Sequence, residues 1–126
     1  MKRLIKAILA FVAFHSVVVM AAGQPFTQSN FDALENAGKP IVVHIHADWC
    51  PTCKTQDAIL NPLIKTPEFK DVTFLQVNFD NQKDALKKFN VVNQSTIIVF
   101  KNGKEVGRSV GDTKKSSIDA LVMKSL

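Results

Sequence analysis

The 126-residue chain has two cysteines and no more, both in the stretch Trp49-Cys50-Pro51-Thr52-Cys53-Lys54. A disulfide scaffold is thereby excluded, and a bridge closing so small a loop adds only roughly 2 kcal/mol by chain entropy, too little for a structural staple. No Gly-x-Gly-x-x-Gly run appears, so no nicotinamide or flavin site, and no cofactor, is expected. No basic stripe interleaved with aromatics appears either, which argues against nucleic acid as a partner. Lys87-Lys88 and Lys114-Lys115 read as solvated helix faces. Internal repeats and low-complexity tracts are lacking, and the length leaves no room for a second domain. The apolar run from Ala7 to Met20 is broken by His15 and Ser16 and falls short of the roughly 20 residues that span a bilayer.

That run does have the flanks of a secretory signal. Lys2, Arg3 and Lys6 precede it and the small residues Ala21, Ala22 and Gly23 follow it, so residues 1–23 are predicted to be a signal peptide cleaved near Ala21 to Gly23. A membrane anchor is the alternative reading of the segment. Neither a twin-arginine pair nor a lipidated cysteine is present, which leaves the general secretion route to a periplasmic or secreted location. The formal charge of +5 belongs mostly to this segment: residues 24–126 carry 13 of the 16 lysines and arginines against all 11 acids, so the basic balance says little about partners. Residues 24–126 are one domain, large enough for a single core, and a monomer without a membrane span is expected. Export sharpens the cysteine question, because an oxidising space closes any dithiol whose redox state is not managed.

Helical and strand periodicities predict an order of helix, strand, helix, strand, helix, strand, hairpin strand, helix. Ser29 or Asn30 caps a helix to about Ala37 that Gly38-Lys39-Pro40 ends, and a short strand is possible around Pro25 to Thr27. Ile41 to Ala47 reads as a strand buried on both faces, with Ile41, Val43 and Ile45 alternating with Val42, His44 and His46, so the two histidines share a face. Lys54 to Ile64 is a helix interrupted by Pro62, Val72 to Phe79 a strand, Lys83 to Phe89 a short helix and Thr96 to Lys101 a strand. Asn102-Gly103 signals a hairpin returning along Lys104 to Val110. Asp112 or Thr113 caps a last helix with Ile118, Leu121, Val122 and Ser125 on one side. The fold class is α/β, a mixed central sheet with helices on both faces, and the cysteines sit at the carboxyl end of a central strand.

With Cys50 at the helix cap, Pro51 is the first helical residue, where its missing N–H does no harm, and Cys53 lies one turn in. The Cys50 sulfur can then accept from the N–H groups of Thr52 and Cys53 at the positive end of the helix dipole, which favours thiolate. Its pKa should fall below the free value of about 8.5. Such a sulfur attacks a partner's disulfide, and the more buried Cys53 then resolves the mixed disulfide.

WCPTCK after an apolar strand, together with Ser95-Thr96-Ile97-Ile98-Val99-Phe100-Lys101-Asn102-Gly103, resembles the thioredoxin superfamily across essentially all of residues 24–126. The resemblance implies the three-layer thioredoxin-like fold, Cys50 as nucleophile, Cys53 as resolving cysteine, and a docking groove for protein thiols and disulfides along Trp49, Pro51, Thr52, Ser95 and Thr96. The long helix and the Lys65-Thr66-Pro67-Glu68-Phe69 insertion look more like exported thiol reductases than cytosolic relatives. Three positions depart from the family pattern. His44 stands where a buried aspartate is usual, Gln76 where a lysine is, and Ser95 where a cis-proline is. His44 can serve as proton acceptor for Cys53, or be a buried histidine with one satisfied hydrogen bond. Ser95 is expected to follow a trans bond, since a cis bond before a non-proline residue costs about 2.5–4 kcal/mol; it is read as a loop serine solvated at the groove edge, with a hydrogen bond from its hydroxyl to a sulfur as the alternative. His46 is read as packing.

The function expected is an exported thiol:disulfide oxidoreductase, a reductant or electron relay fed by a membrane thiol carrier. The alternatives are a metal-binding or metallochaperone module holding Zn or Cu(I) on Cys50, Cys53 and His44 or His46, and a redox-inactive partner-binding domain.

Overall fold

The computed structural model describes residues 23–126, so the predicted signal lies outside the described residues apart from Gly23. The chain runs β1 (Gln24–Pro25), α1 (Gln28–Asn36), β2 (Ile41–His46), α2 (Pro51–Ile64), a 3-10 turn (Pro67–Phe69), β3 (Thr73–Asn78), α3 (Lys83–Lys88), β4 (Thr96–Lys101), β5 (Lys104–Val110) and α4 (Lys115–Met123). The strands form one sheet in the order β1-β3-β2-β4-β5. β2 lies parallel to β3 and antiparallel to β4, in the middle of the sheet. All six of its residues are buried, as expected of a strand with apolar or imidazole side chains on both faces.

Alternation along β2 divides the interior in two. Ile41, Val43 and Ile45 join Phe26, Phe31, Leu75, Leu86, Phe89, Ile98 and Phe100 under α1 and α3. Four of these are phenylalanines in mutual contact, with ring centroids 5.0 Å apart for Phe31–Phe89 and 5.1 Å for Phe31–Phe100. Val42 joins Leu60, Phe69, Val72, Phe74, Ile97, Val99, Ile118, Leu121 and Val122 under α2 and α4. Each fully buried side chain of this size stabilises the fold by about 1.5–3 kcal/mol. His44 and His46 continue the Val42 face toward the carboxyl end of β2, where the apolar interior gives way to polar groups.

Two helix caps differ from the expectation. Thr27, two or three residues earlier than expected, caps α1 by accepting the Asn30 N–H at 3.2 Å. Lys114 occupies the cap position of α4 without a side-chain bond, while Asp112 accepts the Lys114 N–H at 2.9 Å and the Ser117 hydroxyl, so the carboxylate serves the helix start from two residues upstream. The hairpin follows the Asn-Gly signal: φ is +53° at Asn102 and +74° at Gly103, the pair of positive angles a tight primed turn requires.

Candidate active site

The chain leaves β2 at His46, crosses Ala47, Asp48 and Trp49, and enters α2 with Cys50 at the cap and Pro51 at the first helical position. Cys50 and Cys53 are joined as a disulfide, Cα atoms 5.3 Å apart. The Cys50 sulfur accepts the Cys53 N–H at 3.0 Å. The Cys53 sulfur lies 3.9 Å from the Ile45 carbonyl oxygen. Once the bridge is reduced these contacts pull in opposite directions, because a bond from an N–H favours thiolate and a carbonyl acceptor favours thiol. Burial does not separate the two, at 1% exposed for Cys50 and 0% for Cys53. Their surroundings do.

Ser95 is buried rather than solvated at the groove edge, and it stands over both sulfurs, its Oγ 3.1 Å from Cys50 Sγ and 3.3 Å from Cys53 Sγ. The Gln94–Ser95 bond is trans, and Ser95 has φ +62°, a left-handed conformation that costs a non-glycine residue about 1–2 kcal/mol. Three bonds to its backbone and two contacts of its hydroxyl offset that cost by fixing the residue. Its N–H donates to Ile45 O at 2.8 Å, its carbonyl accepts from Gly111 N at 2.9 Å and from Gln56 Nε2 at 3.0 Å, and its hydroxyl meets the sulfurs. The other expected groove residues are less uniform. Trp49 is 58% exposed, with its indole N–H shared between the two Asp80 carboxylate oxygens at 3.0 and 3.1 Å and its ring edge-on to Phe79. Pro51 is exposed and Thr52 half-buried. Thr96 is buried and its hydroxyl donates to Asn93 O at 2.9 Å.

His44 is buried beneath α2, and both its nitrogens are turned to side chains of that helix: Nε2 is 2.9 Å from Gln56 Oε1 and Nδ1 is 3.4 Å from Asp57 Oδ1. The second contact is close but lacks hydrogen-bond geometry. Burial pushes the imidazolium of His44 below the ordinary histidine value, against the opposing pull of Gln56 and Asp57. His46 shares its face, ring centroids 5.7 Å apart, and places Nε2 3.0 Å from Asp57 Oδ2. Gln76 pairs in register with His44. Gln56 and Asp57 are functional candidates that sequence reading passed over. The available signal was that both fall one turn after Cys53, on the face of α2 that is otherwise apolar and packs on β2. Among the described residues, no group of three or more histidine, cysteine, aspartate or glutamate side chains is placed to hold a metal ion.

A vicinal cysteine pair at the start of a helix, on the carboxyl end of the central strand of a mixed sheet, defines a dithiol–disulfide exchange centre. The family model for thioredoxin matches residues 23–124, and the chain belongs to the thioredoxin family. It is 36% identical over 101 residues to thioredoxin of Chlamydia trachomatis, covering 80% of this chain and 96% of that protein. It is 31% identical to thioredoxin H2 of Arabidopsis thaliana over 77% of this chain and 71% of that one. Among solved structures, Trxlp of Edwardsiella tarda superimposes with a TM-score of 0.75 at 43% identity, over 78% of this chain and 96% of that chain. The fold, the cysteine pair and the family together make the chain a thiol-disulfide oxidoreductase that acts on protein thiols.

Proposed function

We propose that this oxidoreductase works outside the cytoplasm as a monomeric reductant or electron relay, recharged by a membrane thiol carrier. Support for export comes from the signal-like residues 1–23, and no helix among the described residues is long and apolar enough to cross a membrane. The observation that carries the chemistry is the unequal environment of the two sulfurs. Cys50, which accepts the Cys53 N–H and shares the Ser95 hydroxyl with Cys53, is the thiolate that attacks a substrate disulfide; it forms a Cys50–substrate bond and expels the second substrate sulfur as thiolate. Cys53, held as thiol beside Ile45 O, then loses its proton and displaces the first substrate sulfur. The substrate leaves with two electrons more and the Cys50–Cys53 disulfide is restored, so a further thiol donor is required for turnover. We assign His44 to tuning Cys53, through Gln56 and Asp57 rather than by direct contact with sulfur.

Two measurements test this reading. Alkylation of the reduced protein near neutral pH is expected to label Cys50 first; labelling of Cys53 first would reverse the roles. The midpoint potential against glutathione is expected to lie nearer thioredoxin's value of about −270 mV than the roughly −120 mV of a strong oxidant, and an oxidant-like value would overturn the reductant assignment. Metal analysis of protein recovered from the periplasm, with thiol titration, distinguishes the metal-binding alternative and the redox-inactive one, since only the former retains stoichiometric Zn or Cu and only the latter fails to cycle.

A further inference from the structure

Gln56, buried completely, fixes the protonation pattern beneath the cysteines. Its Nε2 donates to two backbone carbonyls, Ser95 O at 3.0 Å and Asp112 O at 2.9 Å. Carbonyls only accept, so the amide has one orientation and its Oε1 must receive the His44 contact; His44 Nε2 therefore carries a hydrogen. A neutral His44 then has its lone pair on Nδ1, a buried atom with no hydrogen bond that lies 3.4 Å from Asp57 Oδ1 but off the line of a hydrogen bond. A buried nitrogen left without a partner is costly, and a proton placed between it and the carboxylate, with a small turn of either group, makes the close contact a hydrogen bond. Burial disfavours a charged His44, and Gln56 and Asp57 oppose that effect. The remaining carboxylate oxygen meets His46 Nε2 at 3.0 Å, and His46 Nδ1 looks outward to exposed Asp48 at 3.6 Å. His46 also lines a surface cleft of about 190 Å³ with Pro25, Asp48, Gln76, Asn78 and Gln82.

We propose that His44, Asp57 and His46 form a proton-accepting array for Cys53, with the His46 cleft as its outlet to solvent. The inference rests on Cys53 being the resolving thiol. Cys53 and Asp57 are four residues apart on α2, so their side chains lie on one helix face with Cβ atoms about 5–6 Å apart, inside the layer between α2 and β2. Titratable groups at the array include His44 and His46 from β2, Cys53 from α2, and Asp48 at the outlet. The residues in register with the histidines, Gln76 and Asn78 on β3 and Ile97 on β4, are uncharged. Asp112, from the loop before α4, meets Gln56 only by its carbonyl among the bonds at this site. In the step itself the Cys53 thiol gives its proton to the array. Its sulfur electron pair forms the Cys50–Cys53 bond, the Cys50–substrate bond breaks, and the substrate sulfur leaves with that pair and takes a proton from water. The array then discharges its proton through His46. Electrons and protons balance without any outside oxidant.

The test uses residues 24–126 carrying a mixed disulfide between Cys50 and 5-thio-2-nitrobenzoate, whose release by Cys53 is followed by absorbance from about pH 5 to about 9, spanning the free histidine and cysteine values. Cys53→Ser is expected to hold the adduct; if the adduct decays as in the unsubstituted protein, the resolving role itself is wrong and the array falls with it. With that role secure, Asp57→Asn is expected to lower the ratio of release rate to Cys50 alkylation rate at least about tenfold near neutral pH and to move the release profile toward the thiol's own titration. An unchanged ratio and profile in a folded Asp57→Asn protein would overturn the proposal. Nitrogen-15 NMR of the unsubstituted protein is an independent check. His44 is expected to carry its hydrogen on Nε2, and the Nδ1 signal of His44 and the His46 signals to shift between oxidised and reduced states; histidine signals indifferent to redox state would refute a proton-coupled array.

Discussion

Replacing Ser95 with alanine removes a hydroxyl 3.1 Å from Cys50 Sγ and 3.3 Å from Cys53 Sγ while leaving the backbone bonds to Ile45, Gly111 and Gln56 available. A hydrogen bond to a charged acceptor contributes about 1.5–3 kcal/mol against about 0.5–1.5 for a neutral one. The hydroxyl thus favours the Cys50 thiolate over the thiol by about 1.4 kcal/mol, which is about one pKa unit. Ser95→Ala should raise the Cys50 pKa by that amount. The rate consequence has two signs. Well below the pKa the thiolate fraction drops about tenfold, but a more basic thiolate is intrinsically about threefold more nucleophilic for a Brønsted slope near 0.4–0.5. Alkylation by iodoacetamide should therefore be about threefold slower at low pH and about threefold faster on the alkaline plateau. The two pH profiles must cross. Profiles that coincide, or that differ by one constant factor at all pH values, would show that the hydroxyl does not bond the thiolate. The Cys53 N–H and the helix start remain in the variant, so the pKa should still lie below the free cysteine value.

Ser95→Pro should be worse than a simple groove change: the Ser95 N–H bonds Ile45 O at 2.8 Å and φ is +62°, whereas proline has no N–H and needs φ near −65°, so a loss of about 3 kcal/mol or more is expected in urea unfolding. Gln56→Leu leaves Asp112 O and His44 Nε2 without these bonds and Ser95 O with only the Gly111 N–H, and at about 1 kcal/mol or more for each of the two orphaned groups the melting temperature should fall by about 8 °C or more in calorimetry. Asp112 is held below the usual carboxylate range by the Ser117 hydroxyl and then the Lys114 N–H. A depressed folded value means stability that is present above the unfolded pKa and lost as pH falls through the folded one, so Asp112→Asn should flatten the acid limb of stability below about pH 4 and leave the slope near neutrality alone.

The parts of the fold that could be read from sequence were those with local causes. β2 was legible because six consecutive apolar or imidazole side chains cannot face water, the hairpin because Asn102-Gly103 supplies two positive φ angles cheaply, and the start of α2 because Pro51 fits one helical position best. The α1 cap was misplaced because Thr27, Ser29 and Asn30 are all competent caps, and the choice depends on how Phe26 and Phe31 enter the core. Within the site, Cys50, Cys53 and the shared face of His44 and His46 followed from spacing. The positive φ of Ser95 did not, since it is imposed by bonds to Ile45, Gly111 and Gln56, which lie far away in sequence. Nor did the partners of His44. A polar pair on a helix reads as a solvated face until the strand beneath is known, and in this fold β2 offers imidazoles to meet it.

The departures from the family pattern at His44 and Ser95 are tied together by one side chain. Gln56 accepts from His44 and donates to the Ser95 carbonyl, so the residue beneath the cysteines and the residue above them are held by the same amide. A proline at 95 has no N–H for Ile45 O; an aspartate at 44 has no hydrogen for Gln56 Oε1 when ionised, and would set a second carboxylate near Asp57. Each familiar residue is thus disfavoured by the other elements of this site, which makes single reversions poor tests of the family pattern. His44→Asp alone should lose stability through repulsion with Asp57. His44→Asp with Asp57→Ala removes that repulsion, and a double-mutant cycle on urea unfolding should show a favourable coupling of about 1 kcal/mol or more between the two positions. Strict additivity would mean that the charges at positions 44 and 57 do not sense each other, and His44 would then be a packing residue with no part in proton transfer.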